Sequence, residues 1–319
     1  MTVSRMLQTA EHLTPRRYRV VHTTRYQYNG DVTGCYERGL LGARDTPSQR
    51  VVHSAYRVDP PAATAFEHVD YFGNLSHYLE IQSRHSQLAV TKDLLVDVAW
   101  PRISMDHLNQ WTVQQAADAL RGDLRLGVER SLYAMPSAKV ATTEEVVDYA
   151  RSRLSADQRL GDALEALTLG IFEEFTYRPG VTTTRTTLTE LLALRQGVCQ
   201  DFAHLAIGCL RLFGLPARYV SGYIETMPPP GQPKLAGSDA THAWASVLAP
   251  DGRWIDIDPT NAHFADSRYV VSGWGRDFAD VSPLKGVIFT EANTSSLSVG
   301  VDVIRVPEPV SPVSPLSPV

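Results

Sequence analysis

Three side chains in the second half of the chain have the types that covalent acyl transfer needs: Cys199, His242 and a carboxylate at Asp256 or Asp258. Cys199 follows Gly197-Val198 and opens the apolar helical run FAHLAIGCLRLF. A thiol reacts as its thiolate, and a helix N-terminus favours that form through unpaired N–H groups and the macrodipole. The same N–H groups suit an oxyanion, and Gly197 permits close backbone approach where the sulfur must be reached. Asp201 in the first turn opposes a thiolate, so it is expected to point sideways to structural partners. His242 leads the alternation His242, Trp244, Ser246, Leu248, and the turn Pro250-Asp251-Gly252 sends the chain back through Trp254, Asp256 and Asp258. If the loop has an odd number of residues, His242 and Asp258 share one face, roughly 7–8 Å apart on the diagonal. A carboxylate there would fix the imidazole tautomer and stabilise its charged form. Pro259 ends the strand by removing a ladder donor. Asp256 has the same parity as Asp258, so spacing leaves both open.

The other thiols and imidazoles read differently. Cys209 lies ten positions after Cys199, about 15 Å along a helix, among Ile207, Leu210 and Leu212; it reads as inert core, and His204 as a satisfied buried histidine. A zinc site from Cys199, His204, Cys209 and His242 is the metal alternative, opposed by helical phase and by the distance to Cys209. No metal and no cofactor are expected. His22, His53, His68 and His77 are scattered among strands and read as structural or surface residues.

Positioning these groups takes two folding units. Residues 1–16 read as a flexible arm. Over 17–100, the segments YRVVHTTRYQY, RVVHSAYRVDPP, LSHYLEIQS and LAVTKDLLVDV alternate and are separated by Asn-Gly, Pro-Pro and FGN turns, which predicts an antiparallel, sandwich-like β domain. After AWPRIS the apolar spacing becomes helical in DHLNQWTVQQAADALRG, TTEEVVDYARSRL and QRLGDALEALTLGIFEEF. The next helix opens on a capping box from Thr187 to Glu190 and ends before Gly197. Strands return in ARYVSGYIE, THAWASVLA, RWIDIDPT, SRYVVSG and LSVGVDVIRV. Residues 101–306 therefore predict a second, α+β unit. The stretch 225–240, rich in Pro and Gly, reads equally as a lid or a surface loop. The Pro/Ser repeat of 307–319 reads as a disordered or polyproline-like tail.

Bulk properties narrow the functional class. The chain has 319 residues, 43% hydrophobic and 20% charged, with a net charge of −5, a balance of a soluble globular protein that argues against a nucleic-acid partner. The N-terminal segment lacks an apolar h-region, and no apolar run approaches membrane-spanning length. Three cysteines, Cys35, Cys199 and Cys209, form no Cys-x-x-Cys pair. The cytoplasm is the expected compartment, with no membrane partner.

The blocks GVCQDFAHLA, GLPARYVSGY, HAWASV, WIDIDPTN and GRDFADVSPLKG follow one another in an order that resembles the bacterial transglutaminase-like proteins of the papain-like cysteine-enzyme superfamily. YRVVHTTRYQY and DYFGN resemble the N-terminal β domain that accompanies this core, so the resemblance covers about residues 18–306. It implies a helix bearing Cys199 packed on an antiparallel sheet bearing His242 and Asp258, with these three as nucleophile, base and orienter; it favours Asp258 over Asp256. Animal transglutaminases place a tryptophan before the nucleophile to hold the oxyanion, and none lies between Trp111 and Cys199 here. Tyr177, or a backbone N–H, is left for that role, with Gln200 and Trp244 as further oxyanion or substrate candidates. The calcium loops of the animal enzymes have no counterpart, since DIDPTN lacks the glycine and glutamate such a loop requires. The implied reaction is cysteine-dependent acyl transfer or hydrolysis on an amide, a glutamine side chain or a peptide bond, through a thioester resolved by water or an amine. The implied partners are a peptide or protein amide substrate, an amine acceptor in the transferase case, and an ATP-grasp-like ligase in the same pathway. A non-catalytic interaction module that keeps the fold is the alternative.

Overall fold

A computed structural model describes Met6, residues 8–226, Asp239 and residues 241–307. A short helix α1 (Ala10–Leu13) precedes β1 (Arg16–Gly39), a strand of 24 residues. β2 (Gln49–Asp59), β3 (Thr64–Val69), β4 (Leu75–Ile81) and β5 (His85–Val98) follow. They join in the order β2-β5-β1-β4-β3. β1 is long enough to take two partners end to end on one side: β5 pairs with its first half and β4 with its second. Alternate residues such as Tyr18, Val20 and Thr24 are buried, as period-2 geometry requires of a sheet with one covered face, and the parity changes at the irregularity between Val32 and Gly34, after which Cys35 and Glu37 are buried.

The helical segment comprises α2 (Met105–Leu108), α3 (Val113–Gly122), α4 (Gly127–Ala134), α5 (Glu144–Arg153), α6 (Leu160–Glu174), α7 (Leu188–Leu194) and α8 (Cys199–Leu212). Two short parallel strands, β6 (Thr176–Tyr177) and β7 (Gln196–Gly197), lie between them. A second antiparallel sheet contains β8 (Ala217–Ile224), β9 (Thr241–Leu248), β10 (Trp254–Asp258), β11 (His263–Phe264) and β12 (Tyr269–Gly275), in the order β11-β10-β9-β8-β12. Leu205, Ile207 and Leu210 of α8 share one core with Val146 and Tyr149 of α5, Leu164 and Leu167 of α6, and Ala243, Ala245 and Val247 of β9. The α+β class and the helix-on-sheet arrangement match the sequence reading.

Three boundaries differ from it. β13 (Lys285–Thr290) and β14 (Ser295–Val306) return to the first sheet and pair along β1 on the side opposite β4 and β5. The last strands therefore belong to the N-terminal unit, not to a unit running to residue 306. All seven strands are joined through β1 in one hydrogen-bonded sheet, not in the two separate sheets a sandwich has. The described part of the N-terminal arm is fastened down. Gln8 donates to the Ala265 carbonyl and accepts from the Ile103 N–H, and Ser267 N–H donates to the His12 carbonyl. The expected tail from 308 onward, and most of the expected 225–240 lid (227–238 and 240), lie outside the described residues. The ends of that stretch are held: Glu225 accepts from Arg16 and Tyr18 of β1, and Asp239 accepts from Val303 of β14.

The two units are joined by apolar packing and by amide side chains. Tyr18, Val20, Leu94 and Val96 of the first sheet share a core with Tyr223 and Val270 of the second. Strand β12 is an edge, and an edge leaves backbone groups unpaired. Gln49 exchanges two hydrogen bonds of 2.8 Å with the Val271 backbone, and Asn74, from the FGN turn, pairs with the Trp274 N–H and carbonyl at 3.0 and 2.8 Å. Beside them the Arg44 and Arg218 guanidinium groups lie over Trp274 at 3.5 and 3.7 Å, and Arg218 also lies over Trp254 at 3.9 Å. His22 and His77 are buried and hydrogen-bonded within the first unit and its interface, while His53 and His68 are exposed. Among the described residues no helix is long and apolar enough to cross a membrane.

Candidate active site

The approach to Cys199 is built by a sequence of local constraints. Thr187 and Glu190 form the predicted capping box at the start of α7: Glu190 N–H donates to Thr187 Oγ1, and Thr187 N–H to Glu190 Oε2. The chain leaves α7 through Arg195, which holds a left-handed φ of 54°. It then pairs Gly197 with Tyr177 and enters α8 at Cys199. A side chain at 197 would meet Asp201 Oδ2 and Leu191 Cδ1 at 2.8 Å, so glycine is required by contact rather than by φ. Asp201 is turned as expected: its Oδ2 accepts from Val198 N–H at 2.9 Å and from Thr182 Oγ1 at 2.7 Å. It caps α8 through that oxygen. The N–H groups of Cys199 and Gln200, in the first turn, have no backbone acceptor among the described residues.

β9 places His242 two residues before Trp244 on one row, and β10 pairs Asp256 opposite Ser246. That register puts Asp258 diagonal to His242, the geometry an odd loop gives. His242 Nε2–H donates to Asp258 Oδ2 at 2.7 Å. With Nε2 so engaged, Nδ1 is the ring nitrogen left to face Cys199, which lies close enough to help hold the ring protonated. Cys199 is partly exposed, whereas His242 is 8% and Asp258 0% exposed. The structure thus brings together Cys199, His242 and Asp258.

Asp258 is more heavily bonded than a simple partner of histidine would be. Its Oδ2 also accepts from Tyr269 Oη and from Asn261 Nδ2 (2.7 Å), and its Oδ1 from the N–H groups of Thr260 (2.8 Å) and Asn261 (3.3 Å). Burial penalises the carboxylate, but His242, Tyr269 and Asn261 outweigh it and hold Asp258 well below the usual range. Burial likewise opposes the imidazolium, but the Asp258 charge and hydrogen bond, with a contribution from Cys199, raise His242 to about 10. Tyr269 and Asn261 were not among the sequence candidates. Asn261 lies in the DPTN block, where an Asx-type turn was legible; a tyrosine in the strand SRYVVSG reads only as packing.

Asp256 and Trp244 have other duties. Trp244 is fully buried, and its Nε1–H donates to Asp256 Oδ1 at 2.8 Å. It is therefore unavailable to substrate or oxyanion, which corrects its place among those candidates. Its ring lies 6.0 Å from the His242 ring at an interplanar angle of 27°, and edge-on to Tyr269 at 5.1 Å. Burial raises the Asp256 carboxyl to about 6 against the opposing pull of Arg218. Asp256→Ala, which strips the Trp244 N–H of its acceptor and leaves Arg218 without a carboxylate beside it, is expected to lower stability by about 2 kcal/mol or more in urea unfolding.

Tyr177 is 52% exposed and stands beside Cys199, its ring 6.4 Å from Phe202. Gln200 is half-buried at the second position of α8. Cys209 is fully buried in the main core, and burial pushes its thiol far up. His204 Nε2 accepts from Phe278 N–H at 3.1 Å, and burial lowers its imidazole to about 3. The four residues of the zinc alternative are therefore not gathered. Among the described residues, no three His, Cys, Asp or Glu side chains form a group that could hold a metal.

Comparison with known proteins falls on the same parts of the chain. Residues 147–259 match the transglutaminase-like superfamily, and residues 18–97 the bacterial transglutaminase-like N-terminal region. An uncharacterised protein of Mycobacterium tuberculosis is 43% identical over 296 residues, covering 90% of this chain and 92% of its own length. A Mycobacterium leprae protein is 30% identical over 293 residues, covering 91% and 99%. A protein-glutamine gamma-glutamyltransferase of Pseudomonas aeruginosa is 30% identical over 104 residues, which is 30% of this chain and 16% of that protein. A solved structure from Cytophaga hutchinsonii, described as a candidate cysteine protease, superposes with a TM-score of 0.74 at 20% identity, covering 94% of this chain and 93% of that one.

Proposed function

Because the chain belongs to the transglutaminase-like superfamily, we propose that it acts on amides through a thioester on Cys199, with His242 as base and Asp258 as orienter. The observation that carries this reading is the placement of a partly exposed thiol at a helix N-terminus beside a buried imidazole whose Nε2 is bonded to a buried carboxylate. In the proposed cycle the Cys199 proton rests on His242 Nδ1 and the sulfur attacks the carbonyl carbon of a glutamine side chain or a peptide bond. The free N–H groups of Cys199 and Gln200, with Tyr177 at the flank, are suited to the oxyanion. The C–N bond then breaks as His242 gives its proton to the leaving nitrogen, and ammonia or an amine departs from the thioester. Water or a primary amine attacks next, losing a proton to His242, and Cys199 is regenerated. Asp258 remains ionised throughout, fixing the tautomer and the charged ring.

The substrate class is inferred from the superfamily and the site together: a peptide or protein amide. The three cysteines are unpaired, which suits a reducing compartment, and we infer the cytoplasm. The test is incubation with a glutamine-peptide library, with and without a primary amine, read by mass. Loss of ammonia with gain of the amine marks a transferase, loss of ammonia with gain of water an amidase, and backbone cleavage a peptidase. An unchanged library under every condition contradicts the proposal.

A further inference from the structure

A cleft of about 350 Å³ opens between the N-terminal sheet and the second unit, away from Cys199. Arg38, Lys285, Arg276, Asp70, Tyr71 and Phe72 supply its chemistry. Asp280, also on the wall, has both carboxylate oxygens bonded to Arg276, at 2.9 and 3.0 Å. Asp70 is consumed by its own turn, accepting from Phe72 N–H, Asn74 N–H and Asn74 Nδ2. Two cations are left over. Arg38 Nε donates to Ser76 Oγ at 3.1 Å and Lys285 Nζ to the Ala279 carbonyl at 3.1 Å. Among the described residues neither has a carboxylate within ion-pair distance.

The sheet register explains why these charges face an apolar surface. Phe66, Tyr78, Arg38 and Lys285 are directly opposed across β3, β4, β1 and β13. On the adjacent rung are Glu80, Tyr36 and Val287. The rings of Phe66 and Tyr78 stack at 4.8 Å, and Tyr36 meets Phe289 at 5.9 Å. Phe66, Val287, Phe289 and Tyr71 are all exposed, Tyr71 at 73%. Scattered exposed apolar residues need no explanation, but a contiguous aromatic patch beside unpaired cations has the composition of a binding surface. Glu80 is the one acid on the patch's rungs, and its Oε1 is taken by Gln82.

We propose that this cleft is an exosite for an acidic segment of a peptide. Its carboxylates pair with Arg38 and Lys285, while a neighbouring aromatic or aliphatic side chain lies against Tyr71 and Phe72. Charge complementarity selects this occupant, and a concave site with a few convergent polar groups suits side chains better than a flat lipid surface. The assignment rests on the reading that the substrate is a peptide, and it adds where that peptide is gripped. Arg211, in the last turn of α8, donates to the Arg276 carbonyl at 2.7 Å, so the cleft lies toward the end of α8 opposite Cys199. The length of α8 between them is about 18 Å, so the acidic segment sits roughly six extended residues or more from the reacting amide.

The test uses the full chain carrying Cys199→Ala, so that binding is read without turnover. Fluorescence anisotropy follows a labelled Glu/Phe peptide, a neutral Ser/Phe counterpart free of glutamine, and vesicles containing phosphatidylserine. The acidic peptide is expected to bind, to weaken as salt rises, and to lose at least about tenfold in affinity in Arg38→Glu/Lys285→Glu. Arg38→Gln/Lys285→Gln, which keeps two exposed strand positions polar, is expected to weaken it in the same direction if the reversal variant does not fold. Equal binding of the neutral peptide, unchanged affinity in both double variants, or binding of vesicles in preference to peptide overturns the assignment. A failure here leaves the Cys199 chemistry standing, and loss of that chemistry leaves this binding result standing.

Discussion

Cys199→Ala is expected to eliminate amide turnover, a fall of about 10⁴-fold or more, while circular dichroism and thermal unfolding stay close to those of the native chain. The size of the effect follows from covalency: without sulfur there is no thioester, and orientation alone leaves only residual catalysis. The fold tolerates the change because the side chain is partly exposed at the first position of α8. The capping of that helix is supplied by Asp201, not by the thiol. The other cysteines serve as controls. Burial, with Glu37 nearby, pushes the Cys35 thiol up to about 12, and Cys209 is sealed in the core. Ammonia release from a glutamine peptide measures the loss; turnover that survives in Cys199→Ala assigns the nucleophile elsewhere.

Asp258→Asn is the second large effect. The amide cannot stabilise an imidazolium, and an asparagine that presents its NH₂ to the ring can impose the wrong tautomer, so turnover should fall about 10³- to 10⁴-fold. His242 carries a spectroscopic signature of the same change. In the native chain its folded-state value is raised to about 10 from an unfolded value of about 6.5. Its contribution to stability is therefore complete below the unfolded value and lost as pH rises through about 10. Asp258 is shifted the other way, so its contribution is present above about pH 4 and lost as pH falls through its lowered value. Both are in force at neutral pH. In Asp258→Asn the burial penalty on the charged ring is no longer opposed by a carboxylate, and His242 is expected to titrate several pH units lower, seen by NMR of the ring nitrogens. A His242 titration unmoved by the substitution contradicts the role given to Asp258.

The placement of Cys199 was legible because helix entry, glycine contact and strand parity are local properties. A cysteine after Gly-Val at the head of an apolar run needs no long-range knowledge, and neither does the Thr187–Glu190 cap. Parity placed His242 on the same row as both Asp256 and Asp258 but could not choose between them. The choice depends on register, which is fixed by the hydrogen bonds closing the 249–253 turn, and on Trp244 taking Asp256 for itself. The same bond removes Trp244 from the substrate side, a result no pattern of residue types contains. The return of β13 and β14 to β1 was equally hidden. A strand's alternation shows which side is buried, not which strand lies beside it, and here the partners lie 247 to 289 positions away in sequence. Tyr269 reaches Asp258 only because β12 joins the sheet across β8.

The central claim is that His242 activates Cys199, and it can be tested without knowing the substrate. Iodoacetamide alkylation near neutral pH, mapped by peptide mass, should label Cys199 ahead of Cys35 and Cys209 in the native chain. In folded His242→Ala the rate at Cys199 should drop sharply, although the thiol is no less accessible. An alkylation rate at Cys199 that is the same with and without the imidazole would contradict the account.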